Sequence, residues 1–433
     1  MPMLTPGGER TLKHVVGKRI ACSIGSSPGL RHPFCESLSP ACRNFIHAEQ
    51  SSGAPVNTLQ IGDQWPSDRP GGLNSYYADL LRHLPVHNVS STGLVVGTES
   101  VLTASGGSAR SFARPDAPLL KRLMAARRAG ETELRNASID MIAVHFALYG
   151  MPLLDRLRQR PTVIHFHGPW ASESGMEGSR SLGMRVKRKF EEKVYRTGRR
   201  IIVLSGAFRR EITTQFGIPD ARVRVVPGGV DIERFHPAVA KTQARSRLGW
   251  PEDRRILLSV RRLVRRMGLE NLIEAVRLLA AQRHDFVLYI GGSGPLDSEL
   301  QQRIREAALG HRIRLLGRLS DEELPFAYRA ADLTIVPSQA LEGFGLTVVE
   351  SLACGTPVCA TPVGGLPEIL RPFAPQCILS DTSVAAIAEM LGTVLREPSI
   401  LPSPEDCRAY AVESFSWRNV SARVAEVYRE ALT

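Results

Sequence analysis

Twice along this chain, short apolar runs of strand length alternate with segments whose apolar residues recur at helical spacing, and one Pro/Gly-rich break separates the two series. Such alternation calls for parallel sheets with helices on both faces, because parallel neighbours need a crossover of a dozen or more residues. The first series opens at Val56 with "VNTLQIG", a loop containing "RPGGL", and Leu73, Tyr77, Leu80, Leu81 and Leu84 on one helical face. Strand candidates follow at "TGLVVG", "DMIAVHF", "TVIHFHG", "RRIIVLS" and "RVRVVP", with helical segments around Met151–Gln159, Met184–Tyr195 and Ala207–Phe216. At "VVPGGVDIERFHP" the pattern breaks. It restarts with "RILLSV", a helix carrying Leu269, Leu272, Ile273, Val276 and Leu279, then "FVLYIGG", a helix from about Leu296 to Ala308, "IRLLG", "LTIVPS", a helix through "LTVVESLACG", and "PVCAT".

The expected class is therefore α/β, with two doubly wound, Rossmann-like domains facing each other across a cleft. A chain of 433 residues fits two such units at about 150 residues each plus connections. Residues 1–54, rich in Ser, Pro, Gly and His, read as a poorly ordered extension. Residues 55–228 form the first domain, 229–252 a linker and 253–403 the second domain, while 404–433 are helical and a candidate for crossing back to the first.

Composition narrows the function classes. No apolar run approaches the roughly 18 residues of a membrane span, and Val15-Val16 is no secretory core, so a cytoplasmic protein is expected. Seven cysteines without any C-x-x-C pair indicate neither a disulfide framework nor a zinc site. A net charge of +12 favours an anionic partner: nucleic acid, phospholipid head groups or a phosphorylated small molecule.

The most informative segment is "LEGFGLTVVESLACGTPVCATPVGGLPEIL". A helix beginning near Gly345 directs free N–H groups and a positive dipole end out of the sheet's C-terminal edge, where a phosphate can sit. Gly343 and Gly345 let backbone approach a ligand closely. Glu342 precedes the helix and Glu350 lies within it; carboxylates are acceptor-only groups, suited to a sugar and a ribose diol. In "RRILLSVRRLVRRMG", six arginines fall within thirteen residues, and Arg261 and Arg262 directly follow a strand. Arg262 is the choice for a guanidinium that holds a diphosphate as it leaves a sugar carbon; Arg261, Arg265 and Arg266 read individually as a solvated basic face.

Together, "VVPGGVDIERFHP", "SVRRLVRRMGLENLIEA", "GGSGPL", "DLTIVPS", the Glu342/Glu350 pair around "GFGLT", and "ACGTPVCATPVGGLPEIL" resemble the retaining glycosyltransferases of family 4, which have the GT-B fold. The resemblance runs from about Val56 to the C-terminus. It implies transfer of a sugar from a nucleotide-diphosphate sugar to a glycan, lipid-linked or other hydroxyl acceptor, with retention of configuration, in cell-envelope or exopolysaccharide synthesis. Residue by residue, it places Glu342 on the donor sugar, Glu350 on the ribose, and the backbone of Phe344, Gly345 and Leu346 on the diphosphate. Arg262 matches the clamping arginine, Gly71 and Gly72 match the glycine loop near the donor phosphate, and His167 matches the active-site histidine, with His165 a weaker candidate. Two positions depart from the family: Arg261 replaces a glycine, and Met267 stands where a partner lysine is usual, with Arg266 the expected substitute.

No D-x-D follows a strand, so catalysis without a divalent metal or other cofactor is expected. From Arg180 to Arg210, eleven Lys or Arg face only Glu191 and Glu192, while Leu182, Val186, Phe190 and Val194 recur every four residues. Such a helix either packs on the core with a solvated charged face or rests peripherally on anionic lipid. Phe190 and Tyr195 offer little for base stacking, which argues against nucleic acid. Two other functions remain open on this fold: a nucleotide-sugar-binding protein with weakened catalysis, and a nucleotide-sugar epimerase.

Overall fold

The computed structural model describes residues 54–136, 138–169, 181–280 and 285–433; apart from Ala54, the expected N-terminal extension lies outside them. Two parallel sheets organise the chain. The first comprises β1 (Val56–Gln64), β2 (Val89–Val96), β3 (Ala109–Ala113), β4 (Met141–Val144), β5 (Thr162–Phe166), β6 (Arg200–Val203) and β7 (Val223–Val225), in the order β3-β2-β1-β4-β5-β6-β7. Every residue of β4 and β5 is buried, as expected of strands covered on both faces. Among its covering helices are α1 (Gly72–His83), α2 (Leu119–Asn136), α3 (Ser181–Tyr195) and α4 (Gly206–Phe216). Ser205 caps α4 by accepting from the Phe208 N–H at 3.2 Å, and Gly217, at φ 63°, ends it.

The segment expected as a linker, 229–252, contains α5 (Lys241–Leu248), which belongs to the second lobe. Its Ala244 is buried, and Arg245 and Lys241 both pair with Asp332, at 2.7 and 2.9 Å. With only Ala244 and its last residue, Leu248, as apolar contacts to the core, this helix carries no apolar stripe to betray its packing. The second sheet follows: β8 (Arg255–Val260), β9 (Phe286–Gly291), β10 (Ile313–Gly317), β11 (Leu333–Val336) and β12 (Val358–Ala360), in the order β10-β9-β8-β11-β12. Its helices include α6 (Leu269–Ala280) and α7 (Leu346–Ala353). These two sheets and their helices are the two doubly wound, Rossmann-like domains expected from the sequence.

The chain crosses between the lobes at two adjacent points. One is the segment ending at Val230; the other is Ser416, between α8 (Pro404–Phe415) and α9 (Trp417–Leu432). Val230 donates its N–H to the Phe415 carbonyl at 2.8 Å. Helix α8 buries Cys407, Ala411 and Phe415 in the second lobe's core, whereas α9 buries Trp417, Val420, Val424 and Tyr428 against Val56, Tyr76, Leu80 and Val163 of the first. At the crossing, a Cβ on Gly228 would lie 2.7 Å from the Phe344 ring, and one on Gly229 would lie 2.4 Å from Trp417. Only glycines allow both rings to seat against the crossing strand.

A further link comes from Glu368, whose carboxylate accepts from the N–H groups of Gly206 and Ala207 at 2.7 and 2.9 Å. An acid from the second lobe thus caps a helix of the first and complements its dipole. Trp417 sits at the junction, 2% exposed, with ring contacts to Tyr76 and His83. We expect Trp417→Ala to cost about 3–5 kcal/mol in chemical denaturation; a loss under about 1 kcal/mol would show that the crossing is held elsewhere.

Candidate functional site

In open parallel sheets, ligands bind beyond the strand C-termini where the strand order reverses. The first sheet reverses between β1 and β4 and the second between β8 and β11. Gly71 ends the loop after β1 and Gly72 opens α1, His167 follows β5, Arg261, Arg262 and Arg266 follow β8, and Glu342 to Leu346 follow β11. The two lobes meet at this edge: a Cβ on Gly72 would sit 3.4 Å from Leu346 Cδ1, and one on Gly343 would sit 2.3 Å from the Phe208 ring. Gly71, by contrast, has nothing within 4 Å of its Cβ position. Asn74 holds the glycine loop in place, donating to the Arg69 carbonyl at 2.8 Å and accepting from the Gln64 N–H at 3.3 Å.

On the second lobe, Glu342 is fixed through backbone and side chain. Its carbonyl accepts from the Gly365 N–H at 3.0 Å, and a Cβ on Gly364, which has φ 58°, would come within 1.8 Å of that carbonyl. The "VGG" glycines therefore allow one loop to embrace the other. The preceding residue, Leu341, holds a left-handed φ of 52°, strain of the kind that collects at functional loops, and its carbonyl accepts from Arg266 Nη1 at 3.0 Å. The Glu342 carboxylate accepts from Ser338 Oγ at 3.0 Å and from Arg261 Nη2.

That last contact overturns the reading of Arg261 as a solvated cation. Arg261 is 7% exposed, and its guanidinium also reaches Thr347 Oγ1 at 3.1 Å, Ser338 Oγ at 2.7 Å and Met267 Sδ at 2.8 Å. Its neighbour Arg262 is exposed on the same loop. Arg265 is the solvated member, 69% exposed and paired with Glu270 and Glu299.

Helix α7 begins where Gly345 takes φ 104°, and it turns Val348, Val349 and Leu352 into the core. Val348 donates its N–H to the Gly345 carbonyl at 2.9 Å, while the amides of Leu346 and Thr347 ahead of it have no intrahelical carbonyl to bond. Phe344 is buried with its ring 5.7 Å from that of Phe415, which leaves its backbone for a ligand. Glu350, in the second turn, accepts from the buried Tyr328 hydroxyl at 2.9 Å. Burial pushes the Glu350 carboxyl above its usual range, against the Tyr328 bond and the nearby Arg234.

The first lobe contributes a stack of histidines. His145 follows β4 as His167 follows β5, and the His145 and His165 rings lie face to face, 4.0 Å apart at 16°. Gln60 Nε2 donates to Thr58 Oγ1 at 2.9 Å, so its Oε1 accepts from His145 Nε2 at 2.9 Å. His145 is thereby left with an Nδ1 lone pair that takes the proton of His167 Nε2 at 3.3 Å. The chain of bonds assigns to His167 a tautomer with an acceptor Nδ1. His165 Nε2 meets the Tyr428 hydroxyl at 2.8 Å, so α9 buttresses the stack. Burial lowers all three histidines, His167 to about 3, and keeps them neutral. The three offer nitrogens within 4.8 Å of one another, but His145 spends both of its nitrogens on Gln60 and His167, and His165 spends Nε2 on Tyr428.

His145, Gln60, Ser338, Thr347 and Tyr328 were not anticipated from the sequence. His145 had a usable signal, since it ends an apolar strand run just as His167 does; the others are polar residues that only the packing brings together.

Two family models match the chain: Glycosyl transferases group 1 over residues 240–414, and Glycosyltransferase Family 4 over residues 70–234. A D-inositol 3-phosphate glycosyltransferase of Catenulispora acidiphila is 32% identical over 305 residues, covering 68% of this chain and 72% of that protein. A protein of the same description from Thermobispora bispora is 35% identical over 251 residues; the match covers 56% of this chain and spans only 58% of that relative's length. Among solved structures, Anabaena HepE in complex with UDP-glucose superposes with a TM-score of 0.71 at 20% identity, over 87% of this chain and all of that one.

The neutral stack makes stability sensitive to acid. The folded-state pKa values of His145 and His165 lie well below 6.5, so the unfolded chain takes up protons first, and stability present above about pH 6.5 drains as pH falls. His167, held at about 3, alone accounts for about 2 kcal/mol of that loss at pH 5. His165→Gln should lose correspondingly less stability between pH 7.5 and 5.0 than the parent, as read by denaturant unfolding at both pH values; parallel losses would contradict the buried neutral stack.

Proposed function

Because the chain belongs to the group 1 family of glycosyltransferases, we propose that it transfers a sugar from a nucleoside-diphosphate sugar to a hydroxyl acceptor with retention of anomeric configuration. One observation carries this reading: Gly72 of the first lobe closes against Leu346, at the amide-bearing start of α7, between the carboxylates of Glu342 and Glu350. An anion at the helix start meets free amides and a positive dipole. A ligand hydroxyl on either side of it meets a carboxylate acceptor. A sugar, a diphosphate and a ribose present those groups in that order. The named complex of HepE with UDP-glucose supports the same class of donor.

In this reading the bond from the anomeric carbon to the diphosphate breaks as negative charge gathers on the leaving oxygen. The α7 amides and Arg262 stabilise that charge, and the interaction strengthens as the bond lengthens. These groups neutralise the leaving group without a divalent ion. Glu342 orients the donor sugar through its hydroxyls, and Glu350 binds the ribose diol. The His167 Nδ1 acceptor faces hydroxyl donors, on the sugar or the incoming acceptor. Retention belongs to the family's chemistry and is taken from it rather than from a single side chain.

For the acceptor, we propose a glycan or glycolipid used in cell-envelope or exopolysaccharide assembly. Helix α3 supports a membrane-surface location: Val186 and Phe190 are 46% and 38% exposed, next to the exposed cations Arg185, Arg188, Lys189 and Lys193. The Leu182 side chain of the expected stripe lies outside the described residues, while Val194 is buried in the core. Among the described residues no helix is long and apolar enough to cross a membrane, so the association proposed is peripheral. The relatives' name makes D-inositol 3-phosphate the first soluble acceptor to assay.

A nucleoside diphosphate at 100 times its Kd should stabilise the folded chain by about 2.7 kcal/mol. Glu342→Gln should lower kcat by about a hundredfold, with nucleotide affinity changed less than about threefold. Normal turnover in Glu342→Gln would end the assignment of the donor sugar to that carboxylate; a folded parent that binds the nucleotide sugar without turning it over would support the binding-protein alternative.

For the membrane reading, Phe190→Asp should abolish co-sedimentation with phosphatidylglycerol vesicles and leave turnover of a soluble acceptor intact. Equal sedimentation of variant and parent would remove α3 from the membrane-binding surface.

A further inference from the structure

Resting on the glycosyl-transfer reading above, we infer that Arg261 is a positioning residue of the diphosphate subsite: its fixed charge offsets the Glu342 carboxylate beside the bound anion and takes the place of a cation at position 267. The argument starts from burial. A guanidinium that is 7% exposed is costly to place unless its donors are spent on strong acceptors. Arg261 spends Nη1 on Thr347, in the first turn of α7, and Nη2 on Ser338, Glu342 and Met267. Its Nε–H is buried with no hydrogen-bond partner among the described residues. Every named contact lies within the wall that receives the anion.

Without that charge the wall would be self-defeating. The Glu342 side chain is 13% exposed and follows β11 just ahead of the α7 amides. An unneutralised carboxylate there would compete with a diphosphate for the helix dipole and repel it. Paired with Arg261, the same carboxylate becomes an acceptor for sugar hydroxyls at little electrostatic cost to the neighbouring phosphates.

The chain's own geometry accounts for the pairing of positions 261 and 267. Residues Arg265–Met267 form one tight turn, and Gly268, at φ 71°, seats against the Pro337 carbonyl, where a Cβ would come within 1.9 Å. That turn carries the buried side chain of residue 267 back to the end of β8, with its sulfur 2.8 Å from Arg261 Nη2. A lysine at 267 would bring an ammonium against the guanidinium in a site largely closed to water, so the pocket tolerates a cation at one position or the other. A thioether, uncharged and a weak acceptor, is compatible with the arginine. Arg266, the substitute expected from the sequence, instead gives Nη1 to the Leu341 carbonyl.

The test uses the full chain and calorimetric titration with UDP and GDP, with uridine and guanosine as uncharged comparators. Arg261→Gly should weaken diphosphate binding by about tenfold or more, while nucleoside binding stays within about twofold, because charge acts only on the phosphates. Met267→Lys alone should lower the melting temperature, since it sets two cations side by side. Arg261→Gly combined with Met267→Lys should return diphosphate affinity to within about threefold of the parent. If Arg261→Gly fails to fold, the double variant carries the test. A double variant that does not fold, or that folds and binds no better than Arg261→Gly, overturns the inference, as does a folded Arg261→Gly that keeps the parent's diphosphate affinity. A folded parent that binds neither diphosphate sinks the glycosyl-transfer reading and this inference with it; a parent that binds beside an unaffected Arg261→Gly sinks the inference alone.

Discussion

A carboxylate buried just ahead of a helix start is the constraint around which the second lobe is arranged. Glu342 sits there, held by Arg261, by Ser338 and by a loop whose glycines lie flush on its carbonyl. Buried ion pairs contribute little to stability, because desolvating both charges offsets most of their attraction. A hydrophobic pair of similar volume would suit the fold as well. The pair's presence together with left-handed backbone at Leu341 and Gly345 therefore points to ligand chemistry as its reason.

The first lobe depends on the second through a small number of close approaches. Gly228 and Gly229 admit Phe344 and Trp417, Glu368 caps α4, and Gly72 rests near Leu346. Each of these contacts lies at a chain crossing or at the ligand edge. Helix α9 ties them to the histidine stack, because one helix supplies both Trp417 at the crossing and Tyr428 beneath His165. A displacement of the lobes would register in the packing of that helix and hence in the orientation of His167.

Much of this was legible in the sequence because parallel strands are written as continuous apolar runs, which β4, β5, β6, β8, β9 and β11 all show. The start of α7 was legible too, since a glycine ahead of an apolar helical run leaves few alternatives. Strand β3, "ARSFA", was not: it is an edge strand with half its surface in water, so polar residues interrupt the apolar signal. Helix α2 carries mostly polar residues and was likewise missed. The choice between Arg261 and Arg262 lay beyond any pattern argument. Successive side chains leaving a strand point opposite ways, so one arginine enters the protein and the next meets solvent, and only the end of β8 decides which.

The start of α7 and the His167 ring offer opposite hydrogen-bonding groups. At the start of α7 the groups proposed to meet the ligand are backbone amides and guanidinium N–H donors, which suit phosphate oxygens and would be wasted on an apolar ligand. On the first lobe the chain from Gln60 through His145 ends on an acceptor, the His167 Nδ1, and burial keeps that ring from charging. In the proposed transfer, an imidazolium there would compete with Arg262 for the leaving phosphates, whereas a neutral acceptor receives a hydroxyl proton. In that reading, the tautomer set by Gln60 keeps the phosphate side and the hydroxyl side of the crevice distinct. A departing diphosphate and an attacking alcohol on one sugar carbon require that distinction.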